Sequence, residues 1–591
     1  MRLYKIPFTL FIISICIILP VVYSRLLFDP AQTIQLFFIG ILCIPFFLLL
    51  LSKPSKNQFI IGYFDLIFFL FSSFTTVSIV NSNDTSITIF EVCKLLLFFT
   101  TYKIFQYFFS DNRFSSNLIW IAISIHVVFQ CIFALFQIKT GITNVDPGYR
   151  FLGTMTHSNI FSECILFSLP FIVIALKQLR GTWKCLPLIA LLLSMLLIIV
   201  AQTRAVWVGT AAGFLVVLLF LAKNKHLSFF TILLKNNVNW VLLSIIIVVS
   251  VFILFLKNEW DQVYSHIISL LKLDPSLRDY LWKSTIPIVK SNFLFGVGPG
   301  NWRFHIPVVN HIAYQRPHND YLWVFAESGV FAFIAFAGIF LYTILKLLKN
   351  IKTAQKDKLP VLYTLLFGII AYCTDSFFAF PKERPYLLVI LALLFAYTYS
   401  LIPEKPLFKV NTRLFSVLAL VIAIFSSWFC WNRMQGEIIN KKIIEEASLS
   451  PSEKMNMLKT IKPFYYTADP FSMPIKSLEG SLWIEIGNFQ NAKRCYLDAH
   501  KIAPLIPEIC INIGSISEMT SDRSTARTFY NKALAIEASN VQALLNLAVI
   551  EYKDGEKGKA AELVKKINPG SIAYQKNLLT QYEILKSSLR L

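Results

Sequence analysis

Ile6–Ser24 reads IPFTLFIISICIILPVVYS, an uncharged run, and a helix of roughly 20 such residues crosses the about 30 Å of hydrocarbon in a bilayer. Val241–Leu256, VLLSIIIVVSVFILFL, is a second run of the same kind. Others recur, with short polar breaks, near 31–52, 58–80, 85–108, 117–138, 160–176, 185–201, 205–222, 321–345, 360–378, 386–402 and 411–431. With 6–24 and 238–256 these make about thirteen predicted spans. Composition agrees: over 591 residues the chain is 56% hydrophobic and 15% charged, with mean hydropathy +0.61. No ordinary soluble core hides that much apolar surface. The expected fold is therefore all-α, a polytopic membrane helix bundle. The first run lacks a small-residue cleavage signature and many spans follow it, so it reads as a retained helix, not a signal peptide.

The net charge of +21 does not point to nucleic acid, because the basic residues sit in short loops and not in one cluster. Every second loop is basic: Arg2 and Lys5; Lys53 and Lys56; Lys103 and Arg113; Lys177, Arg180 and Lys184; Lys223, Lys225 and Lys235; the lysines from 346 to 358; Lys405, Lys409 and Arg413. Positive-inside logic puts these on the cytoplasmic face of a bacterial inner membrane. The loops 81–84, 139–159, the turn at Arg204, 257–320 and 379–385 then face the periplasm, as does the tail after Trp431. The 10 cysteines show no CxxC or ligand-like spacing, and most lie in apolar runs. They read as packing residues.

The chain divides into a membrane domain over 1–431, a linker over 432–474 and a polar tail over 475–591. In the tail a period of 34 residues relates Ala492, Ala526 and Ala560; Tyr496, Tyr530 and Val564; Gly480, Gly514 and Ala548; Gly487, Ser521 and Gly555. Small residues recurring at fixed intervals mark close approach of paired helices. The pattern resembles tetratricopeptide repeats, about three units over 475–570, and implies a protein-docking surface or a stabilising cap.

The longest gap between spans, 257–320, ends in SLRDYLWKSTIPIVKSNFLFGVGPGNWRFHIP and is followed by RPHNDYLWVFAESG. The glycine turn Gly296, Gly298, Gly300 with Trp302, then His318, Asn319, Tyr321 and Leu322, then Glu327 and Gly329, resembles the core signature of O-antigen ligases and polymerases. GTMTHSN, ending at Asn159 and containing His157, and QTRAVWVG around Arg204 match that family at lower specificity. The resemblance implies an undecaprenyl-diphosphate-linked glycan as donor, lipid A-core, a protein or a growing glycan as acceptor, membrane lipid around the bundle, and no cofactor.

The residue chemistry stands beside the resemblance. A lipid diphosphate held without metal needs arginines, whose planar fork matches phosphate oxygens. Arg204, Arg278, Arg316 and Arg384 all fall on the predicted periplasmic face, where lipid-headgroup contact is the competing role for each. His318 can take the proton of an attacking hydroxyl; its alternative is a helix cap. Candidate catalytic residues are thus His318, Arg204 and Arg278. Candidate substrate-binding residues are Asn319, Gly298, Gly300, Tyr321, Arg316, Arg384 and His157. The glycines read equally as simple turn formers, since no strand–turn–helix dinucleotide setting surrounds them. His305, His311 and His318 are too loosely spaced for a metal site. Glu91 and Lys94, three apart, can pair within the membrane; Lys94 could instead contact donor lipid, and Asp65 and Glu163 read as interhelical hydrogen-bonding groups unless they line the carrier cavity. Two other classes remain in view, a lipid-linked glycan transporter and a membrane scaffold acting through its repeats. Candidate residues gathered on one face argue against the first, and the glycine and His-Asn motif argues against the second.

Overall fold

The computed structural model describes residues 2–52, 58–110, 115–140, 151–223, 277–308, 314–572 and 574–591. Among these residues nine helices are long and apolar enough to cross a membrane, and Phe8–Val21 and Pro385–Leu401 are shorter apolar helices. The chain is an all-α, multi-pass membrane protein. The expected span at 238–256 lies outside the described residues. The described residues form two compact units: 1–77, 89–296 and 317–434 make one, and 78–88, 297–316 and 435–591 make the other.

In the membrane unit, helices meet through small residues. Gly209 and Gly213 on helix Arg204–Lys223 face helix Leu359–Phe378, where a Cβ would come within 3.0 Å of the Ala371 carbonyl and 2.7 Å of the Phe367 ring. Without water to drive association, such close backbone approach is what holds membrane helices together. Gly368 likewise leaves room for Pro170 on helix Ser158–Gln178, 2.7 Å from its Cβ position. These contacts tie together the three helices whose ends carry Arg204, Asn159 and Phe378.

Buried charges are offset locally. Lys94 pairs with Glu91 at 2.7 Å on helix Thr85–Ser110, and Lys103 pairs with Asp65 at 2.7 Å. Each pairing lowers the cost of placing a charge among apolar helices.

One predicted span is shorter than its apolar run. Residues 58–80 begin with a strand, Gln58–Ile61, paired antiparallel with Phe408–Asn411 so that Gln58 faces Asn411; the helix starts only at Tyr63. Asp65 accepts the Gly62 amide at 2.8 Å and so marks the start of that helix. Hydropathy reports apolarity, which a short strand shares with a helix.

The second unit shows that 432–474 is not a linker. Helix Thr412–Glu445 runs into it, and helix Pro451–Leu458 follows behind a capping box made by Ser450 and Glu453. Met455, Leu458, Ile461 and Tyr466 then form a core with Leu482 of the first repeat helix. Beyond it come the pairs Ile475–Glu485 with Phe489–Ile502, Pro507–Met519 with Arg523–Ile536, and Val541–Lys553 with Lys557–Lys565, closed by Lys576–Leu589. Gly487, Ser521 and Gly555, spaced by the repeat, all sit at positive φ (84°, 62° and 85°) in the turns inside the pairs.

Two loops from between the membrane helices fold with this tail. Asn301 accepts the Asp84 amide at 2.7 Å and donates to Ser82 and Thr88, each at 2.9 Å. Asn83 donates to the Ile502 carbonyl at 3.1 Å, and the Val308 amide to Leu505 at 3.2 Å. Ile87, Phe304 and Val308 share one apolar cluster with the repeat residues. Since a loop cannot reach through hydrocarbon, 78–88, 297–308 and the tail share one face of the membrane.

Candidate functional site

Loop residues 317–319 lead into helix Asp320–Thr353, and their conformation is fixed from both sides. Trp282, on helix Leu277–Ser291, donates its indole N–H to the Pro317 carbonyl at 2.9 Å and packs against Phe377 and Phe378. Asn319 caps the helix, its side-chain oxygen accepting the Leu322 amide at 2.9 Å. Between them His318 holds φ at +54°, a conformation few side chains other than glycine adopt, and its ring meets Phe380 edge-on at 4.9 Å. The strain is stored where the imidazole has to be aimed.

A cavity of about 160 Å³ opens beside this ring, lined by His318, Arg204, Arg278, Asn159, Glu163, the turn 202–205 and Phe378–Phe380. Arg204 arrives from a turn in which Gln202 has φ +52° and Thr203 donates to Ser162 at 3.0 Å. Arg278 lies in the first turn of helix Leu277–Ser291. Burial pulls its guanidinium below its ordinary pKa, the neighbouring charge of Arg204 pulls it further, and Asp375 opposes both. Two cations held at mutual cost beside a cavity define a place where an anion is welcome.

Of the residues singled out from sequence, the structure therefore brings His318, Arg204 and Arg278 together. The others have different surroundings. Tyr321 donates its hydroxyl to the Cys373 carbonyl at 3.2 Å and packs on Phe336. His157 caps helix Ser158–Gln178, its Nδ1 accepting the Asn159 amide at 3.1 Å. Arg384 pairs with Asp29 at 2.7 Å; burial opposes its charge, but Asp29 and Glu383 hold its pKa above the ordinary value. Arg316, Gly298 and Gly300 belong to the second unit.

Gly296, Gly298 and Gly329 each sit where another segment packs closely. Gly296 has φ +66°, and a Cβ there would lie 2.2 Å from the Glu327 carbonyl carbon; at Gly329, φ +77°, it would lie 2.1 Å from the Leu294 oxygen. The two segments interlock, with the Val330 amide donating to Phe293 at 2.9 Å. The first glycine of the turn and the glycine of the Glu-x-Gly thus fit each other across more than thirty residues. Gly298, at φ +90°, instead gives way to Ser82, 2.8 Å from its Cβ position.

Sequence reasoning missed Asn159 and Gln202 as wall residues and left Glu163 with two readings. Asn159 was in view as the end of GTMTHSN, but nothing local distinguishes it from the capping histidine two residues before. Among the described residues no group of His, Cys, Asp and Glu is arranged to hold a metal ion.

No curated protein matches the chain. Residues 189–337 match the O-antigen ligase family model, about a quarter of the sequence, and that stretch contains Arg204, Arg278 and His318. In this segment the chain is similar to O-antigen ligases, which supports, broadly, a membrane enzyme of the glycan-ligating and glycan-polymerising kind.

Proposed function

We propose that the protein transfers a saccharide from an undecaprenyl-diphosphate carrier to a hydroxyl acceptor at the periplasmic face of the bacterial inner membrane. The observation that carries this reading is the single cavity holding one imidazole and two guanidinium groups. His318 takes the proton as the acceptor oxygen attacks the anomeric carbon. The bond from that carbon to the diphosphate breaks on the opposite side, inverting the centre, and its electron pair leaves with the phosphate. Arg204 and Arg278 neutralise the charge that develops there, which a lipid diphosphate needs more than it needs a proton. No metal or cofactor takes part in this scheme.

Lipid A-core is the first acceptor to try. The tetratricopeptide-like reading of the tail favours a second, a protein, because the helix pairs share an apolar cluster with Phe304 and Val308 of the loop 297–308. Polymerisation of the glycan comes third.

The test is transfer from purified polyprenyl-diphosphate donor in nanodiscs, with lipid A-core, a protein mixture or free repeat-unit carrier as acceptor. Transfer to one acceptor, lost in His318→Ala and Arg204→Ala with insertion and folding intact, supports the reading. Donor binding and transbilayer movement with no transfer by wild type would replace it with a transporter.

A further inference from the structure

The cavity has one acidic wall residue that the scheme above leaves idle. Glu163 lies near the start of helix Ser158–Gln178, is 1% exposed, and its Oε2 has no hydrogen-bond partner among the described residues. The charged groups around it come from several elements. Asp375 on helix Leu359–Phe378, Asp320 at the start of helix Asp320–Thr353, and Glu383 and Arg384 in the turn before helix Pro385–Leu401 lie within electrostatic reach. Arg204, Arg278 and His318 share the cavity wall. Of the nearer group only Arg384 is cationic, and Asp29 already occupies it at 2.7 Å. Packing alone would favour an apolar side chain here, because a buried carboxyl with an unused oxygen is costly. Its surroundings make sense if a proton or a substrate group arrives during the reaction.

The proposed transfer supplies one. Each turnover breaks one acceptor O–H bond, makes one bond to the anomeric carbon and releases the diphosphate with its electron pair, so one proton is left over. The imidazole that collects it must lose it before the next cycle, between two guanidinium groups that repel an imidazolium. Glu163 and His318 line the same cavity of about 160 Å³, which is large enough for a few waters, so a proton can pass between the two groups through water without their touching. Resting on the proposed glycan transfer, we infer that Glu163 is the proton-relay residue of this site: its carboxylate takes the proton from the His318 imidazolium. It then releases that proton to bulk water as the lipid diphosphate leaves. Glu163 acts through His318 and so counts as a positioning and relay group, not a catalytic one.

The full-length protein in nanodiscs tests this, with the polyprenyl-diphosphate-linked glycan as donor, using wild type, Glu163→Gln and Glu163→Asp at pH values from about 5 to about 9. Glu163→Gln keeps the volume and one hydrogen-bonding oxygen. It is expected to lower kcat on the order of a hundredfold, the low end of what a positioned proton-transfer group contributes, to leave KM for donor near wild type, and to remove one ionisation from the acid limb of the pH profile. Glu163→Asp is expected to restore that ionisation and part of the rate. A Glu163→Gln profile of wild-type shape, whether the rate is intact or reduced, would overturn the relay. Should Glu163→Gln fail to insert, the Glu163→Asp profile decides, since a relay carboxylate shifts the acid limb and a structural one leaves it. Wild type that binds donor and transfers nothing defeats the glycan-transfer reading, and the relay with it, an outcome distinct from unimpaired Glu163→Gln.

Discussion

The cavity of the membrane unit and the helix pairs of the tail treat charge in opposite ways. Around the cavity, polar groups are buried and incompletely matched: two arginines repel each other, His318 has a strained backbone, and Glu163 and Asp375 keep carboxyl oxygens without hydrogen-bond partners among the described residues. In the helix pairs of the tail, charges find one another, as in Lys553 with Glu518 at 3.0 Å and Arg523 with Asp554 at 2.7 Å. Helix starts there are capped in register, Asn488 and Asp522 each accepting an amide three residues on. A region whose local rules all agree is built for stability, and one that breaks several at once is built around a ligand.

The largest expected effect tests the first half of that contrast. His318→Ala should reduce transfer by about 10²- to 10⁴-fold, the usual worth of a general base, while thermal unfolding of the variant stays close to wild type, because alanine keeps the same Cβ at that backbone position and only the ring contact with Phe380 is lost. Transfer within tenfold of wild type would mean that the imidazole is not the base. A variant that unfolds early would mean that the loop needs the ring against Phe380 more than the chemistry does.

Gly329→Ala comes next and separates scaffold from chemistry inside the same unit. The new methyl would lie 2.1 Å from the Leu294 carbonyl at φ +77°, and strain of this kind costs about 1 to 3 kcal/mol before the clash is counted. We expect a clear drop in unfolding temperature accompanied by loss of transfer, in contrast to His318→Ala. A stable, inactive Gly329→Ala protein would move this glycine from packing to substrate contact.

These two residues also show how far the sequence could be read. His318 and Arg204 could be selected because each stands at the edge of a predicted span, and Arg278 because it falls in the long gap 257–320 whose end carries the family resemblance. The bundle was legible because hydropathy marks the apolar runs. Glu163 and Asn159 were hidden because a polar residue inside an apolar helix looks the same whether it faces a cavity or a neighbouring helix. The fit between Gly296 and Gly329 was hidden because sequence reports that a glycine is needed and not what it makes room for. The supposed linker at 432–474 failed differently: its apolar residues Met455, Leu458 and Ile461 do have helical spacing, but in a run too short and too polar to stand out beside the spans.

Acid–base behaviour in the tail offers a smaller test. Burial pushes the Asp469 carboxyl up to about 6, against the pull of the Met473 and Phe471 amides and of Arg303, whereas an unfolded aspartate titrates near about 3.9. The folded unit thus binds the proton more tightly than the unfolded chain between those values. Its stability should fall as pH rises from about 4 through about 6 and level off above, by at most about 3 kcal/mol. Asp469→Asn, which keeps an acceptor for the Met473 amide, should flatten the slope. An unchanged slope would assign it to another group.

The smallest effect tests whether the helix pairs are interchangeable parts. Gly480 and Gly514 face Tyr496 and Tyr530, whose rings lie 2.7 Å and 2.5 Å from the missing Cβ positions. In the third pair both partners change together, to Ala548 and Val564. Gly514→Ala sets about 1 to 3 kcal/mol of overpacking against about 1 kcal/mol of improved helix propensity, so a net loss of about 1 kcal/mol is expected from denaturant unfolding. In the Tyr530→Val background the obstacle is gone and only propensity remains, so the same change should become stabilising. The sign reversal is what matters, since a coupling energy between two positions isolates their contact from the cost of each change alone. Equal effects of Gly514→Ala in both backgrounds would mean that the glycine answers to its own helix and not to the tyrosine, and the matched changes in the third pair would then have no packing cause.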